Sequence, residues 1–359
     1  MQNDAAPAIA PSMHEIAARA GVGKATVSLA LRDDPRLRAE TRRRIQRLAA
    51  KMGYRPNATV ANLMAQLRAS RNPKYHANLG LLNTNADQDA LASRFTSRQW
   101  MDGCRERATQ LGYGLDEFWL HEPGMQPAAL AAKLEAHNIR GLVISPLMER
   151  GTLPERCDAI WNQFAGVVVG VRPAWPPLDF SSNDQFSTAF LAVQRLWRNG
   201  YRRIGLVLAT GLDALVDRRF SAGFWAGHEA VGGSERIPVL PFQPDGQAAF
   251  GAWWSNHRPD AILTMHEEVK AWVEALGIRV PEDIGLAHLN RHEDLPEWSG
   301  MNQNHTRVGA AAIDLLVGKL HRNESGLPDN PAASFVQSTW IDGPTTRAFA
   351  GAEALAVMA

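Results

Sequence analysis

Ser12-Met-His-Glu-Ile-Ala-Ala-Arg-Ala-Gly-Val-Gly-Lys-Ala-Thr-Val-Ser-Leu-Ala-Leu31 is the stretch whose reading decides the N-terminal fold. Ser12 with Glu15 three residues later forms a capping box, and Met13, Ile16, Ala17 and Ala20 recur at the spacing of one helix face. Gly21 supplies a chain reversal and Val22 an apolar plug. A second helix from about Lys24 turns Val27, Ala30 and Leu31 inward and leaves Lys24, Ala25, Ser28 and Leu29 outside. A third, from about Glu40 to Met52, buries Ile45, Leu48, Ala49 and Met52 beneath Arg42, Arg43, Arg44, Arg47 and Lys51, and Gly53 ends it. Helix, tight turn and helix, closed by a third helix, make a small all-α head. A helix of this size fits the DNA major groove, and the small residues Gly23, Ala25 and Thr26 at its start let backbone amides approach phosphate. A generic three-helix cap is the alternative.

Charge separates this head from the rest. Residues 1–72 carry 13 Lys+Arg against 5 Asp+Glu, which leaves 25 against 32 for residues 73–359, although the whole chain is formally only +1. Such asymmetry fits a polyanion partner for the head, while clustered arginines also occur on ordinary solvated helix faces. Residues 1–11, rich in Ala and Pro and without periodicity, read as a tail. With 359 residues, 45% of them hydrophobic, the chain is long enough for two or three domains. Its longest apolar stretches, such as Ala165 to Val171, are strand-sized, which argues against a membrane span, and the start lacks a signal pattern. Cys104 and Cys157 have neither metal-ligand nor C-x-x-C spacing, so a cytoplasmic location is expected, with no metal and no cofactor.

From Lys74 onward, short apolar runs alternate with helical patterns. Strands are expected at Leu79 to Asn83, Gly114 to Trp119, Gly141 to Ser145, Gly166 to Val171, Ile204 to Leu208, Ala261 to Thr264 and Ile284 to Leu289. Helices are expected around Trp100 to Leu111, Pro127 to His137, Gln185 to Asn199, Arg219 to Val231, Glu267 to Leu276 and Val308 to Leu320. Seven strands with crossover helices exceed one doubly wound unit, so the body reads as parallel α/β with two lobes and a cleft at the strand ends.

Catalytic patterns are incomplete. His266-Glu-Glu-Val-Lys270 begins like a helical zinc motif, but Lys270 stands where the second histidine belongs. Gly21-Val-Gly-Lys-Ala-Thr26 resembles a phosphate loop, yet Ala18 occupies the first glycine position and Ala25 follows Lys24. An enzyme is not expected.

Glu15-Ile-Ala-Ala-Arg-Ala-Gly-Val22, Ala25-Thr-Val-Ser28 and Gly53-Tyr-Arg-Pro-Asn57 stand in the order and spacing of the lactose-repressor (LacI) family of bacterial transcription regulators, which this chain resembles. The resemblance continues through Ala58 to Arg68, corresponding to the hinge helix that folds when two subunits sit on operator DNA. It implies that Leu63 is an apolar wedge in the minor groove, that Lys24 and Ala25 set base preference beside Ser28, and that Thr26, Tyr54 and Asn57 contact the DNA backbone. The family's base-reading Arg after that Ser is Leu29 here, which has no donor for guanine.

In the body, Gly103 with Leu111-Gly-Tyr113, Leu196 with Gly200-Tyr-Arg-Arg-Ile204, Gly277 to Ile284, Val308 to Leu316 and Asp342 to Arg347 resemble the family's periplasmic-binding-protein-like effector domain. The pocket departs from the pattern. His266 and Glu267 replace an Asn-Asp pair, His288-Leu-Asn-Arg291 replaces Gly-Phe-Asp-Asp, and Phe220 replaces a sugar-clamping arginine. Position at strand ends makes Asn83, Asn85, Phe95, Arg98, Arg172, Asp184, Phe220, His266 and Asn290 the effector-site candidates, with Trp100 or Trp175 as stacking plates. Each also has an ordinary structural role available, as a helix cap or core residue.

The expected organisation is a tail over 1–11, a helix-turn-helix domain over 12–57, a hinge helix and linker over 58–73, a two-lobed effector and dimerisation domain over 74–347 and a tail over 348–359. The expected function is a dimeric, ligand-responsive repressor of carbohydrate-related genes that binds palindromic double-stranded DNA and senses a small molecule such as a sugar or sugar acid. A cytoplasmic solute receptor without DNA function, or an enzyme with a DNA-binding head, are the rival readings.

Overall fold

The computed structural model describes residues 13–31, 37–52, 54, 78–145, 153, 157–233 and 236–348, with residues 13, 14, 24, 25 and 28 described by their backbone alone. The expected tails, the Ser12 cap and the hinge segment lie outside these residues, as do Asn57 and Leu63. Two compact units divide the chain, Met1–Arg71 and Asn72–Ala359.

The first unit holds α1 (Met13–Ala20), α2 (Lys24–Leu31) and α3 (Ala39–Lys51). Gly21 reverses the chain at φ +66°, a conformation that costs glycine little. The Val22 amide then bonds back to the Ala17 carbonyl at 3.1 Å. Ile16, Ala17, Ala20, Val27, Ala30, Ile45 and Ala49 form the core, with Val22, Leu31, Leu48 and Met52 packed at its edge. α3 also closes the ends of its neighbours. Arg44 Nη2 donates to the Ala20 carbonyl at 3.3 Å and Gln46 Nε2 to the Ala30 carbonyl at 2.9 Å, satisfying carbonyls that a helix terminus leaves free.

The second unit begins with β1 (Asn78–Asn83), α4 (Ala90–Ser93), α5 (Phe95–Gln110), β2 (Gly114–Trp119), α6 (Pro127–Ala136) and β3 (Gly141–Ile144). It continues with α7 (Asp158–Gln163), β4 (Ala165–Val169), β5 (Asp179–Asn183), α8 (Gln185–Arg198), β6 (Ile204–Leu208), α9 (Thr210–Leu215) and α10 (Arg219–Ala230). Next come β7 (Leu240–Pro241), α11 (Gln247–His257), β8 (Ala261–Thr264), α12 (Glu268–Ala275), β9 (Gly285–His288) and β10 (Ser299–Asn302). The last elements are α13 (His305–His321), β11 (Ala333–Val336) and β12 (Thr339–Ile341). The strands form two six-stranded sheets, ordered β11-β5-β4-β3-β1-β2 and β12-β10-β9-β8-β6-β7. Every pair is parallel except β10 with β12. Each sheet carries an apolar cluster on both faces, as expected for strands covered by crossover helices. The seven expected strands are present. β5, β7, β10, β11 and β12 were not expected, because they are short or polar.

β5 reads Asp-Phe-Ser-Ser-Asn yet is buried throughout. Its polar groups are satisfied from α13 and its surroundings. Ser181 Oγ donates to the Val308 carbonyl at 2.9 Å, and Asp179 accepts from the buried Lys319 ammonium at 2.6 Å and from the Ala332 amide at 2.7 Å. α13 lies against α5 with almost no side chain between them. A methyl added at Gly309 would sit 1.9 Å from the Trp100 carbonyl oxygen, and one at Gly103 1.9 Å from that of Thr306.

The chain passes between the two sheets three times: from β5 to α8, from β10 to α13 and from β11 to β12. These passages are laced together. Asn183 Nδ2 donates to the Gln303 carbonyl, the Asp184 amide to the Val336 carbonyl at 2.9 Å, and Asn304 Nδ2 to the Gln337 carbonyl at 2.9 Å. Among the described residues no helix is long and apolar enough to cross a membrane.

Candidate functional site

In the head, α2 places Thr26 and Leu29 half-buried in its exposed half, while Tyr54 packs against the head's core. Arg43, Arg44, Arg47 and Lys51 are exposed on α3. The side chains of Lys24, Ala25 and Ser28 lie outside the description, like Asn57 and Leu63.

In the body, residues after the strands of one lobe meet those of the other, Arg172 with Asp217, Asn290 with Thr96 and His292 with Phe95, at a cleft where most of the candidate side chains are held in bonds of their own. Asn83 ends β1 and is buried; its Oδ1 accepts from the Asn85 amide at 3.0 Å and side chain at 2.9 Å, and its Nδ2 donates to the Gln88 carbonyl. Asn85 also reaches Ser145 Oγ at 3.3 Å, at the end of β3. This group keeps the tip of the first sheet rigid and leaves Asn85 partly open.

Asp184 caps α8. Its carboxylate accepts from the Ser187 amide at 3.2 Å and from Arg219 Nη2 at 2.8 Å. Burial alone would raise its pKa, but the bonds from Ser187 and Arg219 hold it below the usual carboxylate value. Arg172 follows β4 in the first lobe and pairs with Asp217 of the second at 2.9 Å, so its positive charge is already matched by a carboxylate. Arg98 is exposed, with its guanidinium 5.7 Å from the Phe95 ring centre. Phe220 is only 2% exposed and belongs to the core of the second lobe. Trp100 is likewise buried beneath α13, so of the two expected stacking plates only Trp175 is exposed.

His266 accepts the Ala209 amide on Nε2 at 3.1 Å and stacks on Phe242 at 3.6 Å between ring centres. Burial lowers its pKa against the pull of Glu268, which favours the neutral ring this bond requires. Asn290, like Arg172, is bonded across the cleft. Its Nδ2 donates to Thr96 Oγ1 on α5 at 3.4 Å, and its Oδ1 accepts from His305 Nε2 on α13 at 2.7 Å. Phe95 stacks on His292 with centres 3.9 Å apart.

The structure therefore brings Phe95 and Asn290 together and leaves Asn83, Arg172, Asp184, Phe220 and His266 in separate structural roles. Sequence reasoning missed His292 and His305, although four of the chain's 11 histidines fall between residues 266 and 305, which was the available signal. Among the described residues no three His, Cys, Asp or Glu side chains form a metal site.

Comparison with known proteins agrees with this layout. Residues 12–57 match the family described as bacterial regulatory proteins, lacI family, and residues 193–346 match the periplasmic binding protein-like domain. The head thus matches the lacI family and the later part of the body the periplasmic binding protein-like domain. Over 332 residues it is 27% identical to the HTH-type transcriptional regulator PtxS of Pseudomonas putida, covering 88% of this chain and 91% of that protein. It is 24% identical to the regulator CelR of Thermobifida fusca, over 86% of this chain and 92% of that one. The Escherichia coli lactose operon repressor is 23% identical over 85% of this chain and 84% of the repressor. The fold follows that of a transcriptional regulator CelR-cellobiose complex, with a TM-score of 0.55 at 18% identity over 93% of this chain and 99% of that one. It also follows the lac repressor dimer bound to operator and the anti-inducer ONPF, with a TM-score of 0.55 at 19% identity over 95% and 100% of the two chains. These matches make the head a LacI-like helix-turn-helix DNA-binding domain and the body a two-sheet α/β periplasmic-binding-protein-like domain.

Proposed function

We propose that this protein is a cytoplasmic LacI-family repressor that binds a palindromic operator as a homodimer and releases or tightens on it when a carbohydrate occupies the cleft of its body. The observation that carries the reading is the joining of a basic three-helix head to a two-lobed body whose cleft is spanned by polar side chains of both lobes. Lys24, Ala25 and Leu29 address base edges, flanked by Ser28, while Thr26, Tyr54 and Asn57 hold the backbone and Leu63 wedges the minor groove. Leu29 suits a thymine methyl better than a guanine. The domain limits given above, 12–57, 58–73 and 74–347, belong to the same proposal.

For the ligand, CelR in complex with cellobiose supports a sugar. A sugar acid is less supported than the sequence alone implied, because Asp217 already neutralises Arg172. Asn85 and Asn290, with exposed Trp175 at the rim, provide donors, acceptors and a stacking face suited to hydroxyls. Ligand and DNA then act through linkage: a sugar that prefers one lobe arrangement changes operator affinity by the factor with which DNA changes sugar affinity.

The test combines a thermal-shift screen of mono- and disaccharides and their acids with fluorescence anisotropy on genomic operator fragments. Binding to one fragment that weakens steeply with salt, and that shifts when the sugar selected by the screen is added, is the expected result. Absence of any specific DNA binding by the full chain would overturn it.

A further inference from the structure

The second lobe reaches the first at the cleft through a loop just after β9. His292 lays its ring on Phe95 of α5, and Asn290 bridges Thr96 of α5 and His305 at the start of α13. We propose that these contacts form a proton-sensitive latch, shut while the imidazoles are neutral and released when His305 takes up a proton.

The bonding pattern carries the argument. His305 spends its Nε2–H on Asn290 Oδ1, and its Nδ1 is buried with no partner. Its ring meets that of Trp100 edge to face at 5.5 Å, and the Trp100 Nε1–H, also buried, has no acceptor. A proton added at His305 Nδ1 therefore enters a site already short of acceptors, where the unmet donor and the buried charge both cost free energy. Separation of the lobes takes Asn290 away from His305, returns the Nε2 edge of the ring to water and relieves part of the burial that opposes its charge. Protons consequently bind the open arrangement more tightly than the shut one, and acid shifts the population toward open.

The surrounding charges agree with this direction. On its own loop His292 faces Arg291, Glu293 and Asp294, with Nδ1 3.8 Å from Asp294 Oδ2, and Glu267 lies beside it before α12. From α5 the facing charge is Arg98, beyond Phe95. His305 and His288 are the imidazoles toward the cleft floor. Three carboxylates near His292 can compensate a proton there, whereas the charge acting on His305 comes from His292 and opposes protonation. Burial, with His292 adding to it, lowers His305 to about 3. Freed to an ordinary value near 6.5, the same ring would favour the open form by roughly 30-fold on going from about pH 8 to about pH 5.

The test is an interlobe distance measured on the full chain by pulsed electron resonance, with nitroxides on Ala132→Cys in the first lobe and Ala252→Cys in the second. Both positions are exposed, and the native cysteines are buried. The distance should lengthen on going from about pH 8 to about pH 5. Asn290→Ala should give the long distance at both pH values. His305→Gln, which keeps a donor for Asn290 and cannot titrate, should stay short at both. A parent distance that does not change overturns the latch, as does a His305→Gln variant that opens in acid like the parent. Circular dichroism at each pH guards the readout: lengthening accompanied by loss of helical signal assigns the change to unfolding and equally overturns it.

Discussion

Replacing Gly309 by alanine tests how tightly the first lobe is built. A methyl there would lie 1.9 Å from the Trp100 carbonyl oxygen and 2.9 Å from the Cys104 amide nitrogen, against about 3.3 Å for the closest comfortable carbon–oxygen approach. Both obstacles are backbone atoms of α5, so no side-chain rotation relieves the overlap and the helices must retreat by about 1.4 Å along that contact. Overpacking of this kind costs about 1–3 kcal/mol, and the backbone opponent puts Gly309→Ala at the upper end. The better helix propensity of alanine returns up to about 1 kcal/mol, which leaves a net loss of about 2 kcal/mol. Gly103→Ala meets the Thr306 carbonyl at the same distance and should lose a similar amount. One retreat of α13 relieves both clashes, so the double variant should lose clearly less than the two single losses combined. Urea unfolding followed by tryptophan fluorescence, with the slope checked for constancy, reads all three variants. Parental stability in either single variant, or strict additivity in the double, refutes the close-contact argument.

Three further outcomes follow from the same description. Burial, aided by neighbouring His292, holds His288 at about 4, so its neutral ring stabilises the fold fully above about pH 6.5; the contribution drains away as the pH falls toward 4, by on the order of 2 kcal/mol at pH 5, and His288→Asn should flatten that part of a melting-temperature profile. Lys319→Met strands the Asp179 carboxylate in the core and should cost about 3–5 kcal/mol, much of it recovered in the Lys319→Met, Asp179→Asn double variant; denaturant titration decides, and no recovery would deny the pairing. Asp184→Ala removes the α8 cap and the partner of Arg219 and should lower stability by about 0.5–2 kcal/mol, with Asp184→Asn recovering part of the loss through its capping oxygen, as thermal melts would report.

The head was legible because its information is local: Ile16, Ala17 and Ala20, then Val27 and Ala30, then Ile45 and Ala49 repeat at helix spacing, and those residues form its core. The apolar parallel strands were legible for the same reason. β5 was not, since Asp179, Ser181 and Asn183 look like a loop until Lys319, Val308 and Gln303, more than a hundred residues later, supply their partners. Likewise α11 breaks its pattern with Gly251 and adjacent Trp253 and Trp254, so no single apolar stripe marks it. At the cleft, strand-end position picked out the right region but not the free groups. Arg172 and Asp184 look alike in sequence to ligand contacts, and only the tertiary fold reveals that Asp217 and Arg219 already engage them.

The three laced passages between the sheets act on the lobes as a leaf spring acts on two plates. A single strand would let one plate swivel in any direction, whereas three strips bonded edge to edge, at Asn183 with Gln303, Asp184 with Val336 and Asn304 with Gln337, bend across their width and resist torsion and sideways slip. Such bonding favours bending along one angle over other relative motions. Whatever grips the far edges of the plates, whether a small molecule or the loop that carries His292, works at the longest lever arm from that spring, so a contact worth little by itself can set the angle for the whole body.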